Sequence, residues 1–260
     1  MSFCYTEVND MTLRDFFASH PRAALAFSGG VDSAFLLWAA REYGCDVRAY
    51  YVRSAFQPAF ELRDAKRLAE ELGAPMTVLE ADILSVPQAA ANGPDRCYHC
   101  KTALFTLLRA AAERDGYPLL LDGTNASDDA GDRPGMRALR ELEVRSPLRE
   151  CGITKAEVRA RSKEAGLFTW DKPAYACLAT RIPTGTAIRP EDLSRVEGAE
   201  EALAALGFSD FRVRLFHGAA RLQFTPAQWR EAADRKAEVA AALKPWFETV
   251  LLDFETRTGG

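Results

Sequence analysis

The segment 26–35, AFSGGVDSAF, restricts the fold of this chain more than any other feature. It follows the apolar run RAALAF and leads into DSAFLLWAAREYG, whose apolar residues recur at helical spacing as far as Gly44. Two consecutive glycines allow a positive φ and leave room for several backbone N–H groups to point at one place. Converging amides at a helix start favour an anion, most often a phosphate. The sequence therefore predicts a strand, a phosphate-binding loop and a helix, and an ordinary tight turn is the alternative interpretation.

This loop differs from the two most common phosphate-binding motifs. It lacks the lysine of a Walker loop and the spacing of the G-x-G-x-x-G fingerprint. It resembles the SGGxDS loop of the PP-loop ATP pyrophosphatases at all six positions. The resemblance implies that the loop binds ATP with Mg²⁺, that the nucleotide is cut between its α and β phosphates, and that Asp32 orients the metal or the loop. The six matching residues are Ser28, Gly29, Gly30, Val31, Asp32 and Ser33.

Strand-like and helix-like segments alternate along the first 166 residues. DVRAYYV, PMTVLEAD, PLLLDGTN and EVRSPL are predicted as strands, and FELRDAKRLAEELG and KTALFTLLRAAAERDG as helices. Thr154 and Glu157 have the spacing of a capping box at the start of a further helix. Alternation of this kind predicts an α/β fold with a doubly wound parallel sheet, whose ligand lies at the carboxyl ends of the strands.

The pattern changes after residue 166. A stretch with little periodicity is followed by a helix, the strands FRVRLF and ARLQF, a helix over 226–243 and the strand TVLLDF. We expect a PP-loop domain over 1–166, a cysteine-bearing loop or linker over 167–190, and a smaller α+β domain over 191–260 that serves substrate binding or oligomerisation.

Composition narrows the cellular context. The 260 residues carry a net charge of −4, so no broad basic field exists to recruit nucleic acid. No apolar run reaches transmembrane length, and the acidic, amphipathic start is unlike a signal peptide. We therefore expect a cytoplasmic protein with no membrane partner. In such a chain, six cysteines indicate metal ligands, nucleophiles or core residues rather than disulfides.

Three of these cysteines are candidate ligands. Cys97 and Cys100 form a C-x-x-C motif at the entrance to a helix, where the helix start lowers thiol pKa values, and Cys177 lies in the loop YACLATR. Three thiolates suit an iron–sulfur cluster better than a structural zinc site, which usually has four protein ligands. His99 is a possible fourth ligand, so zinc stays open, as does a simple redox pair.

Two further patterns indicate anion and cation sites. Arg212 and Arg214 are two apart on a predicted strand and therefore share a face, where neighbouring guanidiniums need an anion such as a substrate phosphate, or else surface acids. The loop 122–135, DGTNASDDAGDRPG, carries aspartates after a strand and is a candidate Mg²⁺ site, or else a solvated loop rich in Asx turns.

Over nearly its whole length the chain resembles the LarE family, the ATP-dependent sulfur-inserting enzymes of nickel-pincer cofactor biosynthesis. The resemblance is carried by PDRCYHCK, GTNASDDAGDRPGMRALRELEVRSPL, TKAEVR, TWDKPAYACLATRIPTG and RVRLFHG. It implies that a carboxylate of pyridinium-3,5-biscarboxylic acid mononucleotide attacks the α-phosphate of ATP, which gives an acyl-adenylate and pyrophosphate. Sulfur then displaces AMP and leaves a thiocarboxylate. It also implies a homo-oligomer.

The resemblance also implies two alternative sulfur sources. In one subtype a single cysteine at the position of Cys177 gives up its sulfur and becomes dehydroalanine. In the other, three cysteines hold a [4Fe–4S] cluster whose fourth iron carries an exchangeable sulfide, supplied as sulfide or by a sulfur donor. Because Cys97, Cys100 and Cys177 are all present, the chain is identified as the cluster subtype.

Further roles are implied at matching positions. The Ser54 region would approach the adenosine, and Thr180 stands where the family pattern has serine. The residues expected to bind the substrate phosphate, or to lie near it, are Lys101, Arg181, Arg212, Arg214 and Arg257.

Other functions are weighed against this one. Another adenylating PP-loop enzyme, such as an NAD synthetase or a tRNA thiolase, would not need the three cysteines or would show a broader basic surface. A non-catalytic nucleotide-binding module would release no pyrophosphate.

Overall fold

The structure of the protein, a computed structural model, describes residues 11–128 and 134–257. These residues form two compact units. The first unit contains the described residues of 11–52, 61–79 and 104–172, and the second contains 53–60, 80–103 and 173–257. The predicted limits of 1–166, 167–190 and 191–260 stay a prediction, because compact units of contacts are not the same as independently folding domains.

The helices and strands have the following bounds. The strands are β1 Arg22–Ala26, β2 Asp46–Arg53, β3 Met76–Glu80, β4 Leu120–Leu121, β5 Phe211–Phe216, β6 Ala219–Phe224 and β7 Val250–Leu252. The α-helices are α1 Leu13–Ser19, α2 Val31–Glu42, α3 Ala59–Glu71, α4 Pro87–Ala90, α5 Arg96–Arg114, α6 Pro134–Glu141, α7 Pro147–Glu150, α8 Lys155–Glu164, α9 Pro190–Ala205, α10 Pro226–Asp234 and α11 Lys236–Leu243. Short 3-10 helices span Ile83–Ser85 and Leu178–Arg181.

The first unit is built on a four-stranded sheet in the order β3-β2-β1-β4, in which β1 runs parallel to β2 and to β4. Ala24 of β1, paired with Leu120 of β4, is fully buried. The helix α2 is buried on most of its surface, which suits a helix that is apolar nearly all round. The SGGVDS loop joins β1 to α2, so it lies at the carboxyl end of a central strand.

The sequence predictions for this unit hold in part. The α/β class with a parallel sheet is confirmed, whereas double winding stays a prediction. The capping box at the start of α8 is confirmed, since Thr154 Oγ1 accepts from Glu157 N and the Glu157 carboxylate accepts from Thr154 N. The predicted strand EVRSPL is wrong: only a single bridge joins Arg145 to Leu121, because Pro147 already begins α7.

The second unit contains a three-stranded sheet in the order β5-β6-β7. β5 and β6 are antiparallel, and β6 and β7 are parallel. The turn between β5 and β6 has positive φ at both central residues, 48° at His217 and 84° at Gly218, as a two-residue hairpin of right-handed twist requires. The predicted helix over 226–243 is two helices, because the chain breaks at Arg235, whose guanidinium bonds to Glu231, Glu238 and the carbonyl of Leu206.

Within the ranges that the structure describes, no helix combines the length and the apolar character needed to cross a membrane.

Candidate functional site

The SGGVDS loop is held in shape by its own hydroxyls. Ser33 Oγ accepts from Ser28 N at 3.3 Å and donates to Gly30 O at 3.2 Å. Gly29 has a φ of +72°, and a Cβ there would lie 3.1 Å from the Cβ of Ala65, so this position needs glycine. Gly30 is the N-cap of α2. The first N–H groups of α2 have no acceptor within the helix, which leaves them available to an anion.

Asp32, in the first turn of α2, is already paired. Its Oδ2 accepts from Lys155 Nζ at 2.5 Å, and its Oδ1 accepts from Asn125 Nδ2 at 3.1 Å. Lys155 is the first residue of α8, and Asn125 follows β4. The TKAE pattern predicts only a helix start and gives no sign of this role of Lys155.

A second lysine lies beside the same loop. Lys172 Nζ donates to Asp64 Oδ2 at 2.6 Å and to Gly29 O at 3.4 Å. With Lys155, it places two ammonium groups at a loop that has no Walker lysine. Such groups can neutralise phosphate oxygens through charge-assisted hydrogen bonds.

The loop after β4 satisfies its own polar groups. The buried Asp122 accepts from Thr124 N at 3.2 Å and from Ser146 Oγ at 2.6 Å. Asn125 N donates to Asp128 Oδ2 at 2.8 Å, and Ser127 N donates to Asn125 Oδ1 at 2.8 Å, a pattern typical of Asx turns. Part of the candidate Mg²⁺ loop, residues 129–133, lies outside the described residues. A magnesium site on 122–135 stays a prediction.

Gly123 is a position that sequence reasoning missed. A Cβ on Gly123 would lie 2.9 Å from the backbone N of Ser33, closer than such contacts come in proteins. The end of β4 therefore passes directly against the start of α2, and only glycine permits that approach. In the sequence this glycine belongs only to the predicted strand PLLLDGTN and the loop 122–135, and the DG dipeptide by itself signals no more than a turn.

The three candidate cysteines all belong to the second unit. Cys97 is exposed and lies at the start of α5, Cys100 follows one turn later, and Cys177 is the N-cap of the 3-10 helix Leu178–Arg181. Burial, followed by the charges of the neighbouring Cys177 and Cys97, raises the pKa of Cys100 to about 12. The three thiols are therefore close enough to sense one another's charge. The expectation that the helix start lowers the thiol pKa is wrong for Cys100, because burial dominates there.

The arrangement of these thiols gives the cluster no support of its own. Over residues 11–128 and 134–257, no group of three or more His, Cys, Asp or Glu side chains is placed to hold a metal ion. Three thiols in one neighbourhood are the right donors for an iron–sulfur cluster, but they do not converge on one point as placed. His99, the alternative zinc ligand, packs edge to face against Tyr98.

Arg181 holds the loop that carries Cys177. Its side chain is 0% exposed, and it forms an ion pair with Glu200 in which Nε lies 2.8 Å from Oε1. Its Nη1 donates to Ala176 O at 2.8 Å and to Thr180 Oγ1 at 2.8 Å. The Tyr175 hydroxyl also bonds to Glu200. The predicted place of Arg181 near the substrate phosphate stays a prediction, while the contacts themselves give it the task of shaping this loop.

We expect Glu200→Gln to lower the free energy of unfolding by about 3–5 kcal/mol, because it leaves the buried Arg181 cation without its counterion. Urea denaturation followed by circular dichroism measures the change. Glu201→Gln is the matched control, since Glu201 is exposed on the same helix. A difference of less than about 1 kcal/mol between the two variants, the range of exposed pairs, would contradict this expectation.

Three arginines, Arg181, Arg214 and Arg221, line one cavity in the second unit. The cavity has a volume of about 580 Å³ and is lined by residues of the 3-10 helix, the loop after it and the β5–β6 hairpin. Arg214 lines it and donates to Thr180 O at 2.6 Å and to Gln223 Oε1 at 2.5 Å. Arg257 pairs with Asp210 at 3.0 Å. The lining residues that carry charge or a side-chain hydroxyl are Thr180, Arg181, Thr184, Thr186, Arg214 and Arg221.

Arg212 is placed differently from its predicted partner Arg214. Its guanidinium is buried and donates to Phe211 O at 2.6 Å and to Ala174 O at 2.5 Å. Burial, followed by the cations of Arg181 and Arg257, lowers the pKa of Arg212 to about 10. Asp210 lies 3.8 Å from the Arg212 guanidinium and also pairs with Arg257, so the charge of these two arginines is only partly offset.

The other predicted residues have local partners. Lys101 follows Cys100 on α5, and its positive charge opposes the rise in the Cys100 pKa. Ser54 closes the turn after β2, where its hydroxyl donates to Gln57 Oε1 at 2.6 Å and accepts from Phe56 N at 3.2 Å. Its predicted approach to adenosine stays a prediction.

Asn92 and Arg96 organise the cavity loop, which we define as residues 182–186. The sequence patterns predicted neither of these two roles. Asn92 is fully buried with a φ of 56°, and its Nδ2 donates to Pro183 O at 2.9 Å and to Thr186 O at 3.0 Å. Its Oδ1 accepts from Arg96, which also donates to Ala179 O at 3.2 Å. The NG dipeptide at Asn92 signalled a turn, but not these long-range bonds.

A strand, an SGGVDS loop and a helix on a parallel α/β sheet place the chain among the PP-loop enzymes. It is 24% identical to a probable tRNA sulfurtransferase of Methanothermobacter thermautotrophicus, over 73% of this chain and 52% of that protein. It is 36% identical to the pyridinium-3,5-bisthiocarboxylic acid mononucleotide synthase of Lactiplantibacillus plantarum, over 80% of this chain and 76% of that enzyme. The chain belongs to the LarE family. An uncharacterised protein of Synechocystis sp. is 39% identical over 83% of this chain and 81% of its own length. No family model matches the chain.

Proposed function

We propose that the protein inserts sulfur, at the expense of ATP, into pyridinium-3,5-biscarboxylic acid mononucleotide during nickel-pincer cofactor biosynthesis. The observation that carries this proposal is the 36% identity to the Lactiplantibacillus plantarum synthase across 80% of the chain. Another relative is a probable tRNA sulfurtransferase, and its name also describes sulfur transfer. A tRNA substrate is disfavoured here by the net charge of −4.

The first half of the proposed reaction is adenylation. A substrate carboxylate oxygen attacks the α-phosphorus of ATP, the bond to the bridging oxygen breaks, and pyrophosphate leaves with that electron pair. The SGGVDS loop and the start of α2 would hold the leaving pyrophosphate. Mg²⁺ would offset the phosphate charge, with Asp32 orienting the metal or the loop. Lys155 and Lys172 support this assignment, because both place an ammonium group at the loop.

The second half is replacement of AMP by sulfur. A sulfide attacks the adenylated carbonyl carbon, the bond to the AMP oxygen breaks, and a thiocarboxylate and AMP result. We propose that Cys97, Cys100 and Cys177 hold a [4Fe–4S] cluster that would supply this sulfide when bound. The support for the cluster is the presence of the three cysteines in the sequence.

The test is pyrophosphate release under anaerobic conditions with ATP and Mg²⁺. We expect release with pyridinium-3,5-biscarboxylic acid mononucleotide, followed by thiocarboxylate formation when sulfide is added. Deamido-NAD with ammonia and unmodified tRNA are the controls, and neither should release pyrophosphate. Release with either control alone would replace the proposed function by the corresponding PP-loop activity, and no release with any of them would favour a nucleotide-binding module.

A further inference from the structure

The register of the β5–β6 hairpin brings a second pair of arginines together. Arg214 pairs directly with Arg221 across the two strands, and Arg212 pairs with Gln223. Directly opposed residues, and residues two apart on one strand, point to the same side of a sheet. Arg221 therefore joins Arg212 and Arg214 on one face of this sheet.

Like charges directly opposite one another destabilise an antiparallel pair unless something offsets them. Arg214 donates to two neutral acceptors, Gln223 Oε1 and Thr180 O. The buried Nε of Arg221 lies 3.5 Å from Asp253 Oδ2, which makes an ion pair, but this nitrogen has no hydrogen-bond acceptor within the described ranges. Burial, and then the cations of Arg181 and Arg221, lower the pKa of Arg214. The free protein thus keeps more positive charge at this point than it neutralises.

The same two arginines line the cavity of about 580 Å³, with three threonines beside them. Arg212 is absent from that lining, because its guanidinium is turned to the carbonyls of Phe211 and Ala174. The opposed pair that lines the cavity is therefore Arg214 with Arg221, while the predicted role of Arg212 in phosphate binding stays a prediction.

We propose that Arg214 and Arg221 together bind the substrate's phosphate in this cavity, which makes Arg221 a substrate-binding residue. A phosphate dianion suits two adjacent guanidiniums better than either pyridinium carboxylate does, since each carboxylate carries a single charge. This inference rests on the proposed function for the identity of the ligand, and on the opposed arginine pair for its site.

Arg221→Met tests the inference by calorimetric titration without ATP. We expect the affinity for the mononucleotide to fall about 10- to 100-fold, the usual effect of one charge-assisted contact. Affinity for the corresponding nucleoside, which lacks the phosphate, and affinity for ATP should be unchanged. Arg221→Lys, which keeps the charge but loses the fork of donors, should fall in between. Arg230→Met is the control, since Arg230 is exposed on α10 and its loss removes the same charge.

Wild-type affinity in Arg221→Met would overturn the inference. So would an equal loss of mononucleotide and nucleoside affinity, because Arg221 would then act on the ring, its carboxylates or the fold. Thermal unfolding of Arg221→Met identifies an effect on the fold. Because the substitution removes the repulsion between Arg214 and Arg221, we expect a melting temperature no lower than that of the wild type. Inorganic phosphate provides a separate arm. If the wild type binds no mononucleotide, the proposed function fails. Binding of inorganic phosphate still tests the Arg214–Arg221 pair, which requires that this binding is lost in Arg221→Met and retained in Arg230→Met.

Discussion

Asp32→Ala is expected to abolish pyrophosphate release while leaving the fold intact. Asp32 combines a carboxylate at the phosphate-binding loop with two donors from distant segments, Lys155 and Asn125. Without it, Lys155 and Asn125 lose their common partner at the loop, and loss of one preorganised electrostatic group costs about 100- to 1,000-fold in rate. Asp32→Asn, which keeps the shape without the charge, should lose nearly as much.

Pyrophosphate release with saturating substrate measures this effect, and circular dichroism checks the fold. Asp234→Ala is the matched control, because Asp234 is exposed at the end of α10. Gly30→Val gives an independent check on the loop. A Cβ at Gly30 meets only Ser28 Oγ at 3.4 Å, so the variant should fold and fail because the added side chain occupies the phosphate's space. Full activity in both loop variants would overturn the PP-loop assignment.

The second large effect concerns Cys97. If the three cysteines hold a cluster, Cys97→Ala should remove both the iron signal and sulfur transfer. The variant keeps only two of the three cysteine ligands that would hold the cubane. The measurement is iron, sulfide and absorbance analysis of anaerobically purified protein, followed by thiocarboxylate formation. Cys151→Ala, in the first unit, is the control that should retain both.

Mass spectrometry after turnover separates the two sulfur sources. If Cys177 is sacrificed, the chain becomes lighter by one H₂S as the cysteine turns into dehydroalanine, and each chain acts once. If a cluster carries the sulfide, Cys177 survives many turnovers. A Cys97→Ala protein that still transfers one sulfur per chain would contradict the cluster reading.

Local patterns predicted much of the fold. The strand FRVRLF was predicted with its observed bounds, Phe211–Phe216, because apolar and charged residues alternate along it in the sequence. The capping box at Thr154 was likewise predicted, since its two partners are three residues apart. The break at Arg235 was missed, because the sequence stays helical there and the bonds that hold the break reach back to Leu206.

The candidate site was predictable only where it is local. The loop residues and the three cysteines were found by motif, but the partners that set their properties were not. Lys155 reaches Asp32 across 123 positions, which no spacing rule connects. Arg221 was missed because strand register decides which residue faces Arg214, and register is a property of the folded hairpin. The direction of the pKa shift at Cys100 was also mispredicted, because the burial of its thiol is a property of the folded chain and not of the C-x-x-C motif.

Two requirements at position 92 together leave almost no substitution that the protein could tolerate there. Its φ of 56° is readily accepted by glycine, asparagine and aspartate. Its amide nitrogen must also donate to the carbonyls of Pro183 and Thr186 while its oxygen accepts from Arg96. Glycine has no side chain to make these bonds. Aspartate would have a carboxylate oxygen in place of the amide nitrogen, and this oxygen cannot donate to the carbonyl oxygens of Pro183 and Thr186. Substitutions that are neutral at an ordinary loop residue are therefore not neutral at Asn92. The same restriction applies to the cavity loop, because its conformation depends on the bonds of this residue.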